Sequence, residues 1–232
     1  MCGRYTVIPK KKAKETQSSS TVAAILEKYQ KEPRFNAAPS QLLPVVTSEA
    51  PEEVQFFSWG LLPSWAKEKE HGLRPINART ETIMEKSSFK RLLSGKRCLV
   101  PADSFYEWKR VGKDKTPYRI LMKEEQMFTF AGLWDQWVDK ETGEILNTFT
   151  VITTEPNELM ASIHNRMPAI LHLEEERVWL SNTDDVARLV ELLRPYPAEE
   201  MKAYPVSALV NSPKNDVPSV LEPVSEQGNL FA

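Results

Sequence analysis

The side chain best suited to covalent chemistry is Cys2, which follows Met1 and precedes Gly3. Methionine aminopeptidases remove Met1 when the next residue is small, so we expect Cys2 to carry a free α-amine beside its thiol. The reference pKa is about 7.7 to 8.0 for the amine and about 8.5 for the thiol, so both have reactive forms near neutral pH. The amine can add to an aldehyde to give an imine, which the thiolate closes to a five-membered thiazolidine. The alternative is that Cys2 is only a small buried hydrophobic residue.

Five further segments mix polar side chains with prolines or aromatic residues in a way that a packed core does not require. They are 34–40, 59–65, 76–82, 105–108 and 163–168. Within them, Glu107 stands among aromatic residues, where a carboxyl group can act as a general acid, and His164 offers a second acid or base. Each also has an ordinary interpretation. Glu107 could face solvent on a strand, Asn77 could cap a turn, and His164 could be a hydrogen-bonded core residue.

The elements that must position these residues are mostly strands, because the chain is rich in β-branched and aromatic stretches. We predict strands over 54–59, 98–108, 118–122, 128–134, 148–153 and 202–209, with hairpin turns at 112–117 and 139–143. Apolar spacing predicts helices near 21–30, 157–163 and 183–193, the last capped by Thr183.

Strands outnumber helices in this pattern and do not alternate with them. The sequence therefore predicts the α+β class, with a curved, largely antiparallel, barrel-like sheet and a few peripheral helices. We expect a single domain over 1–232, in which about 212–232 forms a C-terminal tail.

Composition excludes several classes of protein. Of the 232 residues, 41% are hydrophobic and 27% charged, which is globular composition. No apolar run approaches the roughly 20 residues that span a bilayer, and we find no signal peptide, so we expect a cytoplasmic protein that binds no membrane. Cys2 and Cys98 are too few for a disulfide framework, and His71, His164 and His172 lack metal-site spacing. We expect neither a metal nor another cofactor.

The formal net charge of -2 conceals an uneven distribution along the chain. Residues 1–130 hold 23 Lys and Arg against 15 Asp and Glu, whereas residues 131–232 hold 7 against 17. Such asymmetry is typical of a protein with a basic face for an anionic ligand. A surface of mixed charge is the equally simple alternative.

Together with the start Met-Cys-Gly-Arg-Tyr, the five segments resemble the SRAP family, named for SOS response-associated peptidase. The resemblance runs from Cys2 to at least Pro168, in matching order and spacing. It implies a protein that senses abasic sites in single-stranded DNA. It also implies a covalent thiazolidine with the ring-opened aldehyde, which shields the strand from cleavage, and a peptidase-like activity. We expect the protein to act as a monomer, associated with the nucleoid when bound to DNA.

The resemblance implies chemical roles for four residues. Cys2 matches the nucleophile, and Asn77 matches the asparagine that positions the N-terminal residue and the linkage. Glu107 matches the glutamate that acts in acid/base steps and senses the abasic sugar. His164 matches the histidine that helps to open the sugar and stabilise the product.

The same resemblance implies a surface that binds DNA without reading its sequence. Arg4, Arg79 and Arg166 match basic positions that face the backbone, where phosphate contacts fix the strand. Pro39 and Trp65 resemble an apolar platform, on which a flanking base would stack for about 1 to 3 kcal/mol.

Two functions of other classes remain open at this point. The chain could be an N-terminal-nucleophile amidohydrolase, since glutaminases of the class II amidotransferases also begin Met-Cys-Gly. It could instead be a non-catalytic single-strand binding module in which Cys2 is incidental. Hydrolysis of glutamine would favour the first, and binding that survives loss of Cys2 without preference for abasic sites would favour the second.

Overall fold

The computed structural model describes residues 2–9, 32–67, 74–183 and 185–224. The helix predicted at 21–30 lies outside these ranges. The strands are β1 (Tyr5–Val7), β2 (Arg34–Ala37), β3 (Leu42–Thr47), β4 (Ala50–Trp59), β5 (Asn77–Arg79), β6 (Arg97–Ala102), β7 (Ser104–Val111), β8 (Asp114–Met122), β9 (Phe128–Val138), β10 (Ile145–Thr154), β11 (Met167–Pro168), β12 (Ile170–Leu171) and β13 (Met201–Pro205). The helices are α1 (Ser87–Leu93), α2 (Glu158–Ala161), α3 (Leu173–Leu180) and α4 (Val186–Glu191). Short 3-10 helices span Thr80–Thr82, Ala198–Glu200, Ala208–Asn211 and Pro218–Leu221.

Five strands close into a barrel in the order β4, β3, β6, β9 and β10, with β10 pairing back onto β4. The β10–β4 pair is parallel and the other four pairs are antiparallel. Closure leaves no free edge in this ring of strands. The prediction of an α+β fold with a barrel-like, largely antiparallel core is confirmed.

Aromatic side chains fill the barrel at the end near the chain start. Tyr5 packs edge-on against Trp59, at 5.1 Å between ring centroids, and against Phe130, at 5.7 Å. Trp59 stacks on Phe149 at 6.2 Å. Such pairs add about 0.5 to 1.5 kcal/mol each beyond the area they bury. They also anchor β1, and with it the residues just before it, to the barrel.

A second sheet has the order β13, β8, β7, β1 and β2. The first half of its strand β7 is buried on both faces, since Phe105 packs against Phe130 of the barrel while Tyr106 packs with Val206, Val210 and Val220. The C-terminal segment as far as residue 224 thus covers this sheet, and the predicted tail wraps around the fold over its described part.

The predicted strand 98–108 is in fact two strands, because the chain changes sheets at Asp103. The Asp103 carboxylate accepts hydrogen bonds from the Thr6 hydroxyl and the Ile8 amide, both at 2.8 Å, and pairs with Arg119 at 3.1 Å. These contacts compensate the buried charge. They also turn the backbone from the barrel strand β6 into β7.

Several predicted boundaries were wrong. The helix expected over 183–193 is shorter, and Asp185 rather than Thr183 caps it, accepting from the Arg188 amide at 3.1 Å. The helix expected over 157–163 is Glu158–Ala161, capped by Asn157. The strand expected over 202–209 ends at Pro205, after which the chain turns into a 3-10 helix. The two predicted hairpins are present, although β8 already begins within the first predicted turn.

Helices α1 and α3 were not predicted, and one buried residue holds both. The Arg97 guanidinium donates to the carbonyl oxygens of Leu93, Trp179 and Ser181. Because the last carbonyls of a helix have no partner within it, a cation there stabilises both ends. Within the described ranges, no helix has the length and apolarity needed to cross a bilayer.

Candidate active site

The pairing of β1 with β7 brings the start of the chain beside Glu107. Tyr5 lies opposite Phe105, and the Tyr106 amide donates to the Arg4 carbonyl at 2.9 Å. Side chains alternate along a strand, so Glu107 shares the core-facing side with Phe105. Glu107 is 2% exposed. The sequence alternative of a solvent-facing Glu107 is therefore wrong.

The segments that carry Asn77 and His164 both lie beside the end of strand β10. Thr153 lies opposite Arg79 of β5, in parallel pairing, and opposite Pro168 of β11, in antiparallel pairing. This places the Asn77–Arg79 strand and the 163–168 segment on either side of one strand end. The barrel thus supplies Asn77 and His164, and the second sheet supplies Cys2 and Glu107.

Asn77 makes a direct contact with the chain start. Its Nδ2 donates to the Cys2 carbonyl oxygen at 2.9 Å. Its Oδ1 is buried and accepts no hydrogen bond from any residue in the described part of the chain. A buried acceptor without a partner costs about 1 to 3 kcal/mol. Asn77 is therefore placed to hold a donor next to the Cys2 backbone.

Glu107 and His164 face each other across the site. The Nδ1 atom of His164 lies 3.9 Å from Oε1 of Glu107. The same Nδ1 atom lies 3.1 Å from the Arg166 amide and 3.3 Å from the Arg166 carbonyl oxygen, so it accepts from the amide in one tautomer and donates to the carbonyl in the other. The His164 backbone is fixed in turn by a bond from its amide to the Met160 carbonyl at 2.8 Å. The arrangement offers a buried carboxylate and a partly exposed imidazole side by side.

The Cys2 thiol is fully buried in this structure. Burial raises the pKa of the thiol far above its ordinary value, and the charge of Glu107 raises it further, against a lowering hydrogen bond with the Arg4 backbone. A thiol in such surroundings is protonated at neutral pH. Reaction at sulfur therefore requires a base at the site to take its proton.

Arg166 is held by the fold and has little exposure. Its guanidinium binds both carboxylate oxygens of Glu81 and donates to the Thr153 carbonyl at 2.6 Å. The hydrogen bond from Arg166 also lowers the pKa of the Glu81 carboxyl group. Glu81 therefore pairs with Arg166 and not with its sequence neighbour Arg79, whose side chain is exposed at the end of β5.

Arg4, predicted to face the DNA backbone, is 9% exposed and binds the fold on one side. Its Nη1 donates to Asn36 Oδ1 at 2.8 Å and to the Val210 carbonyl at 2.6 Å. Its other side lines a cleft of about 340 Å³ with Gly3, Trp108, Lys115 and Asn211. Arg4 thus connects the site to the C-terminal segment.

Trp65 stands in a loop that three hydrogen bonds attach to the barrel. The Leu62 amide donates to Thr148 Oγ1 and the Ser64 amide to Asp135 Oδ2, both at 2.8 Å. The Ala66 carbonyl accepts from the Trp137 indole at 2.8 Å. Trp65 itself is 66% exposed. The indole is thus presented to solvent on a loop whose backbone is attached to the barrel.

Pro39 lies in the turn between β2 and β3, where its neighbour Ser40 has a φ of 69°. The Ser40 amide donates to the Trp59 carbonyl at 2.8 Å, which ties this turn to the strand that leads to the Trp65 loop. Pro39 and Trp65 therefore belong to two turns joined through the end of β4. No contact between the two side chains is among the interactions described.

Sequence reasoning missed two residues that support the site. Asn36 is buried, and its Nδ2 donates to the carbonyls of Ser212 at 3.0 Å and Asn215 at 2.9 Å, while its Oδ1 holds Arg4. Glu81 anchors Arg166. Both lie in segments that the sequence singled out, but partners 85 residues away for Glu81 and 176 for Asn36 leave no local signal. Within the described ranges, no group of three metal-ligating side chains is placed to hold an ion.

Comparisons with known proteins place the chain among related sequences. A family model described as SOS response associated peptidase (SRAP) matches residues 1–213. The abasic site processing protein YoqW of Bacillus subtilis (strain 168) is 46% identical over 226 residues, covering 96% of this chain and 99% of YoqW. The abasic site processing protein HMCES of Gallus gallus is 37% identical over 225 residues, covering 83% of this chain and 66% of HMCES.

A solved structure supports the same relationship. The crystal structure of a protein from Bacteroides thetaiotaomicron superposes with a TM-score of 0.79 at 38% sequence identity, covering 87% of this chain and 90% of that one. The family match spans most of the chain, and YoqW is similar over nearly its whole length. The chain therefore belongs to the SRAP family.

Proposed function

We propose that this protein senses abasic sites in single-stranded DNA and captures them as a thiazolidine on Cys2. One observation carries the proposal: Asn77 holds the Cys2 carbonyl with its Nδ2 while its buried Oδ1 has no partner in the described part of the chain. Once Met1 is removed, the α-amine of Cys2 can donate to that oxygen. The names of YoqW and HMCES, abasic site processing proteins, support the same substrate.

The first step is opening of the sugar, since an abasic site is mostly a closed hemiacetal. A proton must reach the ring oxygen and another must leave the anomeric hydroxyl. Glu107 and His164 are a suitable pair for these transfers, because their side chains lie 3.9 Å apart at the Cys2 end of β7. The free aldehyde forms when the bond from the anomeric carbon to the ring oxygen breaks.

The second step joins protein and DNA. The neutral Cys2 amine adds to the aldehyde carbon, and loss of water gives an imine. The thiol then gives its proton to a base, and the sulfur adds to the imine carbon as the imine nitrogen takes a proton. Glu107 is the base we propose, because its charge already acts on the Cys2 thiol. The ring that closes has one C–S bond and one C–N bond to the former aldehyde carbon.

We propose that the residues around this centre bind the DNA strand. Arg79 is exposed two residues after Asn77 on β5, and Arg4 and Arg166 are the other two basic residues to which we give this task. Phosphate contacts from such residues hold any sequence equally. The exposed Trp65 ring offers a stacking face for a base, with Pro39 in the adjoining turn. The protein would act as a monomer in the cytoplasm, on the nucleoid when bound.

A hydrolytic or lyase-like reaction at the same centre is a secondary proposal. Reversal of the ring closure would release the strand, and an N-terminal cysteine with a neighbouring acid/base pair also suits peptide-bond cleavage. The rival glutaminase is less favoured, because an amidohydrolase for a small amide has no use for the exposed Trp65 loop or for Arg79. The non-catalytic binding module is less favoured, because it does not require a hydrogen bond from Asn77 to the Cys2 carbonyl.

The test mixes Met1-processed protein with abasic and with intact single strands of the same sequence, then denatures both. We expect a denaturant-resistant band only with the abasic strand. Glutamine hydrolysis is measured on the same preparation. Release of ammonia without a band would show that the protein is an amidohydrolase. Equal binding of both strands without a band would show that it is a non-catalytic binding module.

A further inference from the structure

The hairpin formed by β7 and β8 continues outward from Glu107 and is strongly basic. Between residues 109 and 115 it carries four cations and one carboxylate, namely Lys109, Arg110, Lys113, Lys115 and Asp114. From residue 110 to residue 115 every position is exposed. This hairpin therefore projects positive charge into solvent, and its first exposed cation, Arg110, is three residues along β7 from Glu107.

Two of these cations are paired in a way that costs stability. Arg110 lies directly opposite Lys115 in the β7–β8 register. Like charges at directly opposed positions destabilise a sheet, whereas Lys109 opposite Thr116 has no such conflict. An anion bound between Arg110 and Lys115 would turn this repulsion into attraction.

A cleft joins the hairpin to the chain start. It has a volume of about 340 Å³ and is lined by Gly3, Arg4, Trp108, Lys115 and Asn211, which include two cations and no carboxylate. Lys115 Nζ and the Arg4 guanidinium approach the Trp108 ring, at 5.1 and 5.8 Å from its centroid. Gly3 lies in this cleft and follows Cys2 in the chain, so the cleft begins one residue from the candidate nucleophile.

Arg4 adds an observation that points to a ligand. The residue is nine-tenths buried, and its Nε is buried without a hydrogen-bond partner among the described residues. Its Nη atoms are occupied by Asn36, Val210 and Asn211. A guanidinium with an unused donor beside an open cleft attracts an anionic group.

We propose that the β7–β8 hairpin, with Arg4 and Trp108 at its base, binds the phosphodiester backbone of the single strand on one side of the captured lesion. This proposal rests on the proposed function, which places the abasic sugar at Cys2. The repeated charge of a strand matches cations spread along a hairpin, and Trp108 offers a ring on which a base can stack. The single-stranded DNA on the other side of the lesion would run towards Trp65 and Arg79.

The test uses the double variant Lys113→Gln/Lys115→Gln, with Lys140→Gln as the matched control. Lys140 lies in the tip of the other long hairpin, between β9 and β10. The strands carry one abasic site with a long arm on either the 5′ or the 3′ side only. Affinity is measured over a series of salt concentrations, and adduct formation is measured separately on the same strands.

We expect the double variant to lose affinity several-fold for one of the two arms, with the slope of log affinity against log salt flatter by about 1.4 units for two lost contacts. The control should match the parent on both arms. An unchanged slope, or an equal loss on both arms, overturns the proposal, since the first means no contact and the second only general attraction. If the parent forms no adduct, the proposed function fails. The slopes on intact strands with the same arms still decide whether the hairpin binds DNA.

Discussion

His164 and Glu107 lie 3.9 Å apart, measured from Nδ1 to Oε1, and come from different layers of the fold. Arg166 offers the His164 Nδ1 atom two backbone partners, its amide at 3.1 Å and its carbonyl oxygen at 3.3 Å, and each suits a different tautomer. With the proton on Nδ1, a movement of about 1 Å would allow that atom to donate to Oε1 of Glu107. The pair thus combines a buried carboxylate with a histidine that the Arg166 backbone holds in place.

Replacing Glu107 with Gln should slow adduct formation more than it weakens binding. Gln keeps the shape of the side chain but cannot exchange a proton, and general acid/base groups contribute about 10² to 10⁴ in rate. Because His164 shares the work, we expect the low end of that range. Single-turnover adduct formation gives the rate, and binding is measured on an intact strand. A variant that reacts at the parental rate from pH 5 to 8 removes Glu107 from the mechanism.

Much of the fold follows from local patterns that the sequence shows directly. The long strands β4, β9 and β10 contain the apolar and aromatic runs that predicted them. The turns at Gly112 and Gly143 have φ angles of 59° and 73°, in the left-handed region that glycine adopts most readily. Arg97 binds the end of α3 from 82 residues away, so this stabilisation leaves no local signal, whereas its bond to Leu93 at the end of α1 is local. The break at Asp103 was missed because Asp103 binds Thr6, which lies 97 residues earlier.

The site is only partly predictable from sequence. The motifs identified Cys2, Asn77, Glu107 and His164, and the structure brings these four segments together. Which arginines are free to bind a ligand could not be read from the sequence, since Arg4 and Arg166 are largely committed to carbonyls and to Glu81 while Arg79 is exposed. Partnerships of that kind depend on the closed barrel and leave no trace in local spacing.

Replacing Asn77 with Ala should slow adduct formation by about tenfold, because one hydrogen bond of about 1.4 kcal/mol to the chain start is lost. Asn77→Asp is the informative companion. It keeps an acceptor oxygen but removes the donor to the Cys2 carbonyl and adds a second buried charge beside Glu107. We expect it to react at least as slowly as the Ala variant. Rates are taken from single-turnover reactions at saturating DNA. Parental rates in both variants would contradict a positioning role.

Replacing Arg79 with Ala should weaken binding to every single strand alike. The slope of log affinity against log salt should become flatter by about 0.7 units, the value for one phosphate contact on a single strand. Arg188→Ala is the control, since Arg188 is exposed on α4. The binding of abasic and intact strands is compared over a salt series. A slope equal to that of the control would mean that Arg79 contacts no phosphate.

The buried thiol of Cys98 predicts a loss of stability in alkaline solution. Burial raises the pKa of Cys98 far above that of a free thiol, so the folded protein keeps this proton while the unfolded chain loses it above about pH 8.5. The free energy of unfolding is unaffected by this group below that pH. Above it, the free energy falls as pH rises, by about 1.4 kcal/mol per pH unit.

Cys98→Ala removes that contribution without touching the candidate site. Denaturant unfolding at several pH values from 8 to 10 should give a flatter decline for the variant than for the parent, although the variant starts from a lower stability because of the cavity. Parallel curves for the two proteins would mean that the thiol of Cys98 titrates normally.

The central claim is that the free α-amine of Cys2 joins the aldehyde of an abasic site. Intact-mass analysis of protein incubated with abasic single-stranded DNA tests it most directly, using one preparation with Cys2 at the N-terminus and one with a residue retained ahead of it. The account predicts an adduct equal to protein plus strand minus one water, formed only by the processed protein and stable to heat. An adduct of equal yield from the blocked protein would contradict it, because an amide nitrogen cannot form the imine.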